Sequence, residues 1–109
     1  MSKLTTLLAS AAFTLAALGS AAQAETVKIG LVVKALGIGF FDAANKGAQE
    51  AAKELGDVEV IYTGPTKTTA EGQIEVIDAL IAQKVNAIAV SANDKDALVP
   101  VLKKAQERG

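Results

Sequence analysis

The sequence has no cysteine and no histidine among its 109 residues. It therefore offers no disulfide framework, no thiolate metal ligand and no imidazole for acid–base catalysis or metal binding. An excess of one charge is also missing, because 11 basic residues stand against 12 acidic ones. Without a basic excess to neutralise phosphates, we expect no nucleic-acid partner. Aromatic residues make up 4% and apolar residues 50%, which is typical of an alanine- and valine-rich globular domain.

Residues 1–24 are predicted to be an export signal peptide rather than part of the fold. A lysine at position 3 gives a positive start, residues 4–18 are apolar or small, and Ala22-Gln-Ala24 has the small-x-small pattern that signal peptidase cleaves. The apolar run is shorter than the roughly 20 residues that span a bilayer, so a retained membrane anchor is the weaker alternative. Cleavage after Ala24 predicts a periplasmic protein that begins at Glu25.

The mature part repeats one unit three times, a short β-branched run followed by an amphipathic helical pattern. Strands are predicted at residues 27–33, 58–62 and 87–91, and helices at 40–55, from 68 or 69 to 83 or 84, and from about 96 onward. This β-α-β-α-β-α order predicts an α/β class, a three-layer lobe with a parallel sheet. We expect residues 25–109 to be the first part of a truncated ligand-binding lobe, with the second lobe absent.

The periodicity also predicts which helix positions are buried. The expected stripes are 41, 44, 48, 51 and 55 in the first helix, 74, 77, 80 and 81 in the second, and 98, 101, 102 and 105 in the third. Pro100 constrains the third helix, because a proline deep in a helix removes a backbone hydrogen bond and clashes with the preceding turn. The third helix is therefore expected to begin near Asp96, with Pro100 in or just after its first turn.

Ligands of open α/β sheets lie outside the carboxyl ends of the strands, which selects residues 34–41, 63–69 and 91–96. Gly37 and Gly39 allow a tight bend, but the third glycine of a dinucleotide fingerprint would fall at Asp42, where an acid would face the pyrophosphate. Residues 64–69 lack the Gly-Lys-Ser/Thr ending of a phosphate loop. They are interpreted as a turn followed by a helix cap at Thr68 or Thr69.

Five residues in these segments are candidate ligand contacts: Lys34, Phe40, Phe41, Ser91 and Asn93. Phe40 lies off the helical stripe and can offer a flat apolar face to a sugar ring, whereas Phe41 fits the stripe and is favoured as core. Lys34 can donate hydrogen bonds to a ligand or be solvated. Ser91 and Asn93 can bind hydroxyls, or Asn93 can shape the turn. No nucleophile–base pair emerges, so no enzyme activity, metal or cofactor is predicted.

Four motifs resemble the N-terminal lobe of type I periplasmic sugar-binding proteins of ABC importers, and above all their rhamnose-binding and autoinducer-binding branch. They are Ile29-Gly-Leu-Val-Val-Lys34, Gly39-Phe-Phe-Asp42, Tyr62-Thr-Gly-Pro-Thr66 and Asn86-Ala-Ile-Ala-Val-Ser91. The resemblance implies a periplasmic binding protein-like I fold, two lobes that close on a small sugar, an inner-membrane permease as partner, and a monomer. It also implies that Lys34 contacts ligand, that Phe40 and Phe41 line the cleft, and that Ser91 is a polar contact.

Two adjacent positions depart from the ribose-type pattern. Those members place an asparagine before Pro-Phe-Phe, where this chain has Ile38 and Gly39. Because isoleucine cannot bind a hydroxyl, a rhamnose-like deoxy-sugar is favoured over ribose. A furanosyl autoinducer-binding receptor is the first alternative. A flavodoxin-like enzyme and the core of a sugar-responsive repressor are weaker ones, since catalytic and phosphate-binding motifs are missing and an export signal is predicted.

Overall fold

The computed structural model describes residues 25–109. Strands and helices alternate through this part of the chain: β1 (Val27–Val32), α1 (Gly39–Leu55), β2 (Val58–Thr63), α2 (Ala70–Ala82), β3 (Ala87–Val90) and α3 (Val99–Glu107). This is the predicted order of elements. The predicted signal peptide lies outside the described residues. No helix within 25–109 combines the length and the apolar character that a membrane crossing needs.

The three strands form one parallel sheet in the order β2-β1-β3. The register pairs Val27 with Val58 and Ile29 with Ala87, so the central strand β1 is hydrogen-bonded on both sides. Since β2 and β3 lie on opposite sides of β1, right-handed crossovers place α1 on one face of the sheet and α2 on the other. The predicted α/β class and three-layer arrangement are confirmed.

The sheet face covered by α2 and α3, here called the closed face, holds the main core. Its fully buried side chains are Val32, Ile77, Leu80, Leu98 and Val101. A Cβ atom on Gly30 would lie 2.5 Å from Leu80 Cδ1, so the glycine lets α2 approach the backbone of β1 closely. The stripes predicted for the second and third helices are confirmed, with their remaining members partly buried on this face.

The opposite face, here called the open face, is covered only by α1, and the stripe predicted for that helix is partly wrong. Ala52 is the buried residue of α1, whereas Ala44, Ala51 and Leu55 are exposed. The helix packs against β2 at one edge of the sheet, so only a narrow strip of its surface meets other residues. Ala87 and Ala89 of β3 are exposed, since the described part of the chain places no helix above them.

Side-chain capping and proline geometry explain where α2 and α3 begin, and the predicted start of α3 is corrected. Thr69 caps α2 by accepting a hydrogen bond from the Gly72 amide at 3.2 Å, as expected. The third helix begins at Val99 and not near position 96. The Asp94 carboxylate accepts the amides of residues 96 and 97 at 2.8 and 2.7 Å, which holds this stretch in turns. Pro100 lies in the first turn of α3, as its missing amide requires.

Candidate functional site

The loops that follow the three strands meet at the carboxyl edge of the sheet. The Val33 amide donates to the Thr63 carbonyl at 3.0 Å, the Leu36 amide to the Pro65 carbonyl at 2.9 Å, and the Ser91 amide to the Val32 carbonyl at 2.9 Å. These bonds extend the sheet pairing past the strand ends. They bring residues 33–41 and 91–93, here called the rim, to one side of the molecule.

An aromatic pair stands on the rim at the start of α1. The rings of Phe40 and Phe41 lie edge to face, with centroids 5.2 Å apart and planes at 87°, a favoured geometry for aromatic pairs. Phe41 is half-buried, whereas Phe40 is 75% exposed. A phenylalanine that leaves this much of its ring in water gains little from burial, so Phe40 is free to pack against another molecule.

The aromatic pair borders an open cavity of about 300 Å³ that reaches from the open face to the rim. Its lining residues are Leu31, Val32, Val33, Phe40, Phe41, Ala44, Ala89, Val90 and Ser91. Ser91 is the one polar residue among them, and the other lining side chains are apolar. This volume is at the lower end of the range found for small-molecule sites, which are typically apolar with a few polar groups.

Lys34 lies on the rim and does not line this cavity. Its side chain is half-buried, and its ammonium group donates a hydrogen bond to the carbonyl of Ala92. The ammonium nitrogen therefore lies beside residues 91–93 rather than extending freely into solvent. Since an ammonium group has three hydrogens, two remain for other acceptors at the rim.

The Asn93 side chain bridges loops. Its Nδ2 atom donates to the carbonyl of Lys34 at 2.9 Å and to the carbonyl of Thr69 at 3.2 Å. Both hydrogens of the amide are thereby used, and Oδ1 remains as an acceptor. Asn93 therefore connects the loops after β1 and β3 with the N-terminus of α2.

A buried glutamine completes these contacts. The Gln73 side chain is 0% exposed and lies on the closed face beneath the rim. Its Nε2 atom donates to the carbonyl of Val33 at 3.1 Å and to the carbonyl of Ser91 at 2.8 Å. Its Oε1 atom accepts the amide of Asn93 at 2.8 Å. One side chain thus joins the backbone after β1 to the backbone after β3.

The N-terminus of α1 borders the cavity without a side-chain cap. Ile38 occupies the capping position and offers no acceptor, although its carbonyl accepts the amides of Phe41 and Asp42. The Tyr62 hydroxyl donates to Asp42 Oδ1 at 3.0 Å. Desolvation, followed by the hydrogen bond and charge of Asp42, raises the pKa of Tyr62. The first turn of α1 is therefore tied to β2 on the side away from β3.

Residues 29–109 match the family described as the periplasmic binding protein domain. The chain belongs to this family. Over 95 residues it is 37% identical to the D-ribose/D-allose-binding protein of Pseudomonas aeruginosa, covering 83% of this chain and 30% of that protein. The expected periplasmic binding protein-like I lobe is therefore confirmed for the described residues.

Two solved structures are similar in both sequence and fold. LsrB from Clostridium saccharobutylicum in complex with AI-2 is 35% identical, with a TM-score of 0.74 over 76% of this chain and 25% of its own. An ABC transporter solute binding protein from Clostridium phytofermentas with bound L-rhamnose is 33% identical, with a TM-score of 0.73 over 80% and 27%. The chain thus spans less than a third of the length of these relatives.

Within this periplasmic binding protein domain, the five predicted contact residues fall into two groups. Phe40, Phe41 and Ser91 line one cavity, whereas Lys34 and Asn93 are hydrogen-bonded into the loops beside it. Gln73 is not among the residues that the sequence motifs predict. A signal for it exists in the sequence, because position 73 precedes the buried positions 77 and 80 by helical spacing. A polar residue on such a stripe indicates a buried side chain that needs partners.

Proposed function

We propose that this chain is the first part of a solute-binding protein that captures a small sugar in the periplasm for an ABC importer. The observation that carries the proposal is the placement of Phe40, Phe41 and Ser91 around one cavity at the carboxyl edge of the sheet. An exposed aromatic ring can pack on the C–H face of a sugar, while hydroxyl and ammonium groups bind its oxygens. Similarity to solute-binding proteins of known ligand supports this assignment.

Within the sugars, we propose a rhamnose-like deoxy-sugar. The cavity has one side-chain hydroxyl and otherwise apolar side chains, and the neighbouring Ile38 presents no hydrogen-bonding group. A ligand with a methyl group in place of a hydroxyl leaves fewer polar atoms unpaired against such a wall, and unpaired polar groups are costly to bury. The similarity to a protein that holds L-rhamnose is consistent with this choice.

A furanosyl autoinducer is the second candidate ligand. The Lys34 ammonium lies on the rim beside Ala92, and its remaining hydrogens suit a small, oxygen-rich ring. The 35% identity to LsrB, whose structure holds AI-2, is consistent with this alternative. It would make the protein a receptor that presents a signalling molecule to an importer or sensor.

The remaining parts of the assignment are also proposals. Residues 1–24 act as the export signal. A second lobe closes over the rim, completes the ligand contacts and forms, with the first lobe, the surface that docks on the permease. The single lobe exposes Phe40 and the cavity to water, so it excludes solvent from one side of a ligand only. We therefore expect residues 25–109 alone to bind sugar far more weakly than the two-lobe protein.

Isothermal titration calorimetry tests this assignment. The product of the complete reading frame, without residues 1–24, is titrated with L-rhamnose, AI-2 and D-ribose. We expect a Kd of about 1 µM or lower for L-rhamnose and weaker binding of D-ribose. Phe40→Ala should weaken binding about tenfold, while Leu55→Ala, which removes another exposed apolar side chain of α1, should leave it unchanged.

Three outcomes would contradict the assignment in different ways. Tighter binding of AI-2 than of L-rhamnose would transfer the assignment to the autoinducer. Failure of every sugar to bind would overturn the transport function itself. Micromolar binding by residues 25–109 alone would contradict the requirement for a second lobe.

A further inference from the structure

Gln73 has surroundings unlike those of any other polar side chain in residues 25–109. It is the one polar residue there that is fully buried, and it lies on the face of α2 that also carries Ile77 and Leu80. Burying an amide is costly unless its hydrogen bonds are made. A leucine or methionine at this position would fill the core but would leave the three backbone groups that the glutamine binds without this partner. The glutamine therefore needs an explanation beyond packing.

The partners of Gln73 fix both the orientation of its amide and the spacing of two loops. Nε2 faces two carbonyl groups, those of Val33 and Ser91, and Oε1 faces the amide of Asn93. A flipped amide would place Oε1 against two acceptors, so the observed orientation is the one that satisfies all three bonds. Because two hydrogens on one nitrogen reach both carbonyls, the backbone after β1 is held at a fixed distance from the backbone after β3.

These bonds continue directly into the candidate site. Lys34 follows Val33 in the chain, accepts a hydrogen bond from Asn93 Nδ2 through its carbonyl, and donates one from its ammonium to Ala92. Ser91, whose carbonyl is held by Gln73, also lines the cavity. Gln73 itself is not among the lining residues. It can therefore act on a ligand only through the residues that it holds.

We infer that Gln73 is a positioning residue of the sugar site, whose amide sets the separation between Lys34 and the Ser91–Asn93 loop at the rim. The inference rests on the proposed function, because it assumes that a ligand binds between these two loops. A buried network in which every hydrogen bond is made holds its members rigidly. Loss of the amide would let the two loops shift relative to each other, while the helices and strands of the closed face stay packed.

The test compares Gln73→Met with Ile77→Ala in the product of the complete reading frame. Methionine keeps the length and flexibility of glutamine but makes none of its three hydrogen bonds. Ile77→Ala creates a cavity one turn further along α2, in the core of the closed face, removes none of the hydrogen bonds to the rim, and controls for lost stability. With both variants shown by circular dichroism to be folded at the assay temperature, we expect Gln73→Met to weaken sugar binding about tenfold and Ile77→Ala to stay within about twofold.

Equal losses of affinity in the two variants, or unchanged affinity in Gln73→Met, would overturn the positioning role. A second measurement applies whether or not Gln73→Met folds and whether or not a sugar binds. In the unmodified protein, nuclear magnetic resonance should detect slowly exchanging Gln73 side-chain amide protons with couplings through the hydrogen bonds to the Val33 and Ser91 carbonyls. Rapid exchange at the rate of a free amide would overturn the inference, while failure of every sugar to bind would instead remove the proposed function.

Discussion

The two faces of the sheet differ in how completely their residues are covered. On the closed face, Val32, Ile77, Leu80 and Leu98 are each at most 1% exposed. On the open face, α1 has Ala52 as its buried residue, and Leu55 is 66% exposed. Both faces come from the same kind of strand–helix unit, so the repeating pattern by itself does not decide burial. The difference indicates that, within residues 25–109, the closed face supplies most of the stability, while the open face keeps much of its apolar surface exposed.

The largest expected effect comes from truncating matched leucines on the two faces. Leu80→Ala removes a fully buried side chain and leaves a cavity between α2 and β1, which should lower the free energy of unfolding by about 2–5 kcal/mol. Leu55→Ala removes an exposed side chain and should change it by less than about 0.5 kcal/mol. Urea denaturation followed by circular dichroism measures both. Similar losses in the two variants would show that α1 contributes to stability as much as α2 does.

A smaller loss of stability is expected from a substitution in β1 where α2 packs closely against the backbone of that strand. Gly30→Ala would place a Cβ atom 2.5 Å from Leu80 Cδ1 and 3.2 Å from Leu80 Cδ2. Because Leu80 is buried in the core, it has to repack against its neighbours to relieve this contact, and the overpacking should cost about 1–3 kcal/mol. The cost should fall when Leu80→Ala is present, since the clashing atoms are then gone. A double-mutant cycle by urea denaturation measures this coupling, and strictly additive losses would contradict the close contact.

The smallest expected effect is a pH dependence of stability that arises in the turn leading into α3. Hydrogen bonds from the amides of Ala97 and then Asp96 lower the pKa of Asp94 in the folded state. The unfolded chain therefore binds a proton at a higher pH than the folded one does. This stabilisation is fully present above the ordinary pKa of the carboxyl group and is lost as the pH falls through the lowered folded value.

Asp94→Asn should remove this contribution and flatten the acid limb of the stability profile. Urea denaturation at several pH values between neutrality and the acid range measures the profile. Asp96→Asn is the control, because its carboxylate is 83% exposed and pairs with Lys95 at 3.5 Å on the surface. An acid limb that is unchanged in Asp94→Asn would contradict the role of the turn.

Much of the fold could be predicted from the sequence because it depends on local patterns. The apolar spacing of α2 and α3 and the tendency of Pro100 to lie in a first turn follow from helix geometry alone. The stripe of α1 was harder to predict, since alanines recur all around that helix and spacing alone cannot select among them. Which of them is buried depends on α1 lying over β2 at the sheet edge, and this is a property of strand order.

Part of the candidate site could likewise be predicted from the sequence, and part depends on the folded chain. Lys34, Phe40 and Ser91 could be predicted because each follows a strand in the sequence. The carboxyl ends of parallel strands must lie at one edge of the sheet. The same reasoning gave no role to Gln73, which is 18 residues before Ser91 and 40 after Val33. Sequence separations of this size are bridged only when the chain is folded.

The sequence alone determined the α/β class, the strand and helix order and the resemblance to periplasmic sugar-binding proteins, since these follow from periodicity and short motifs. The tertiary structure decided that α1 covers little of its face, that Asn93 bridges two loops, and that Gln73 ties β1 to β3. The physical reason is that hydrophobic periodicity is a local property of the chain. Burial and hydrogen-bond partners, in contrast, depend on which distant segments are brought into contact.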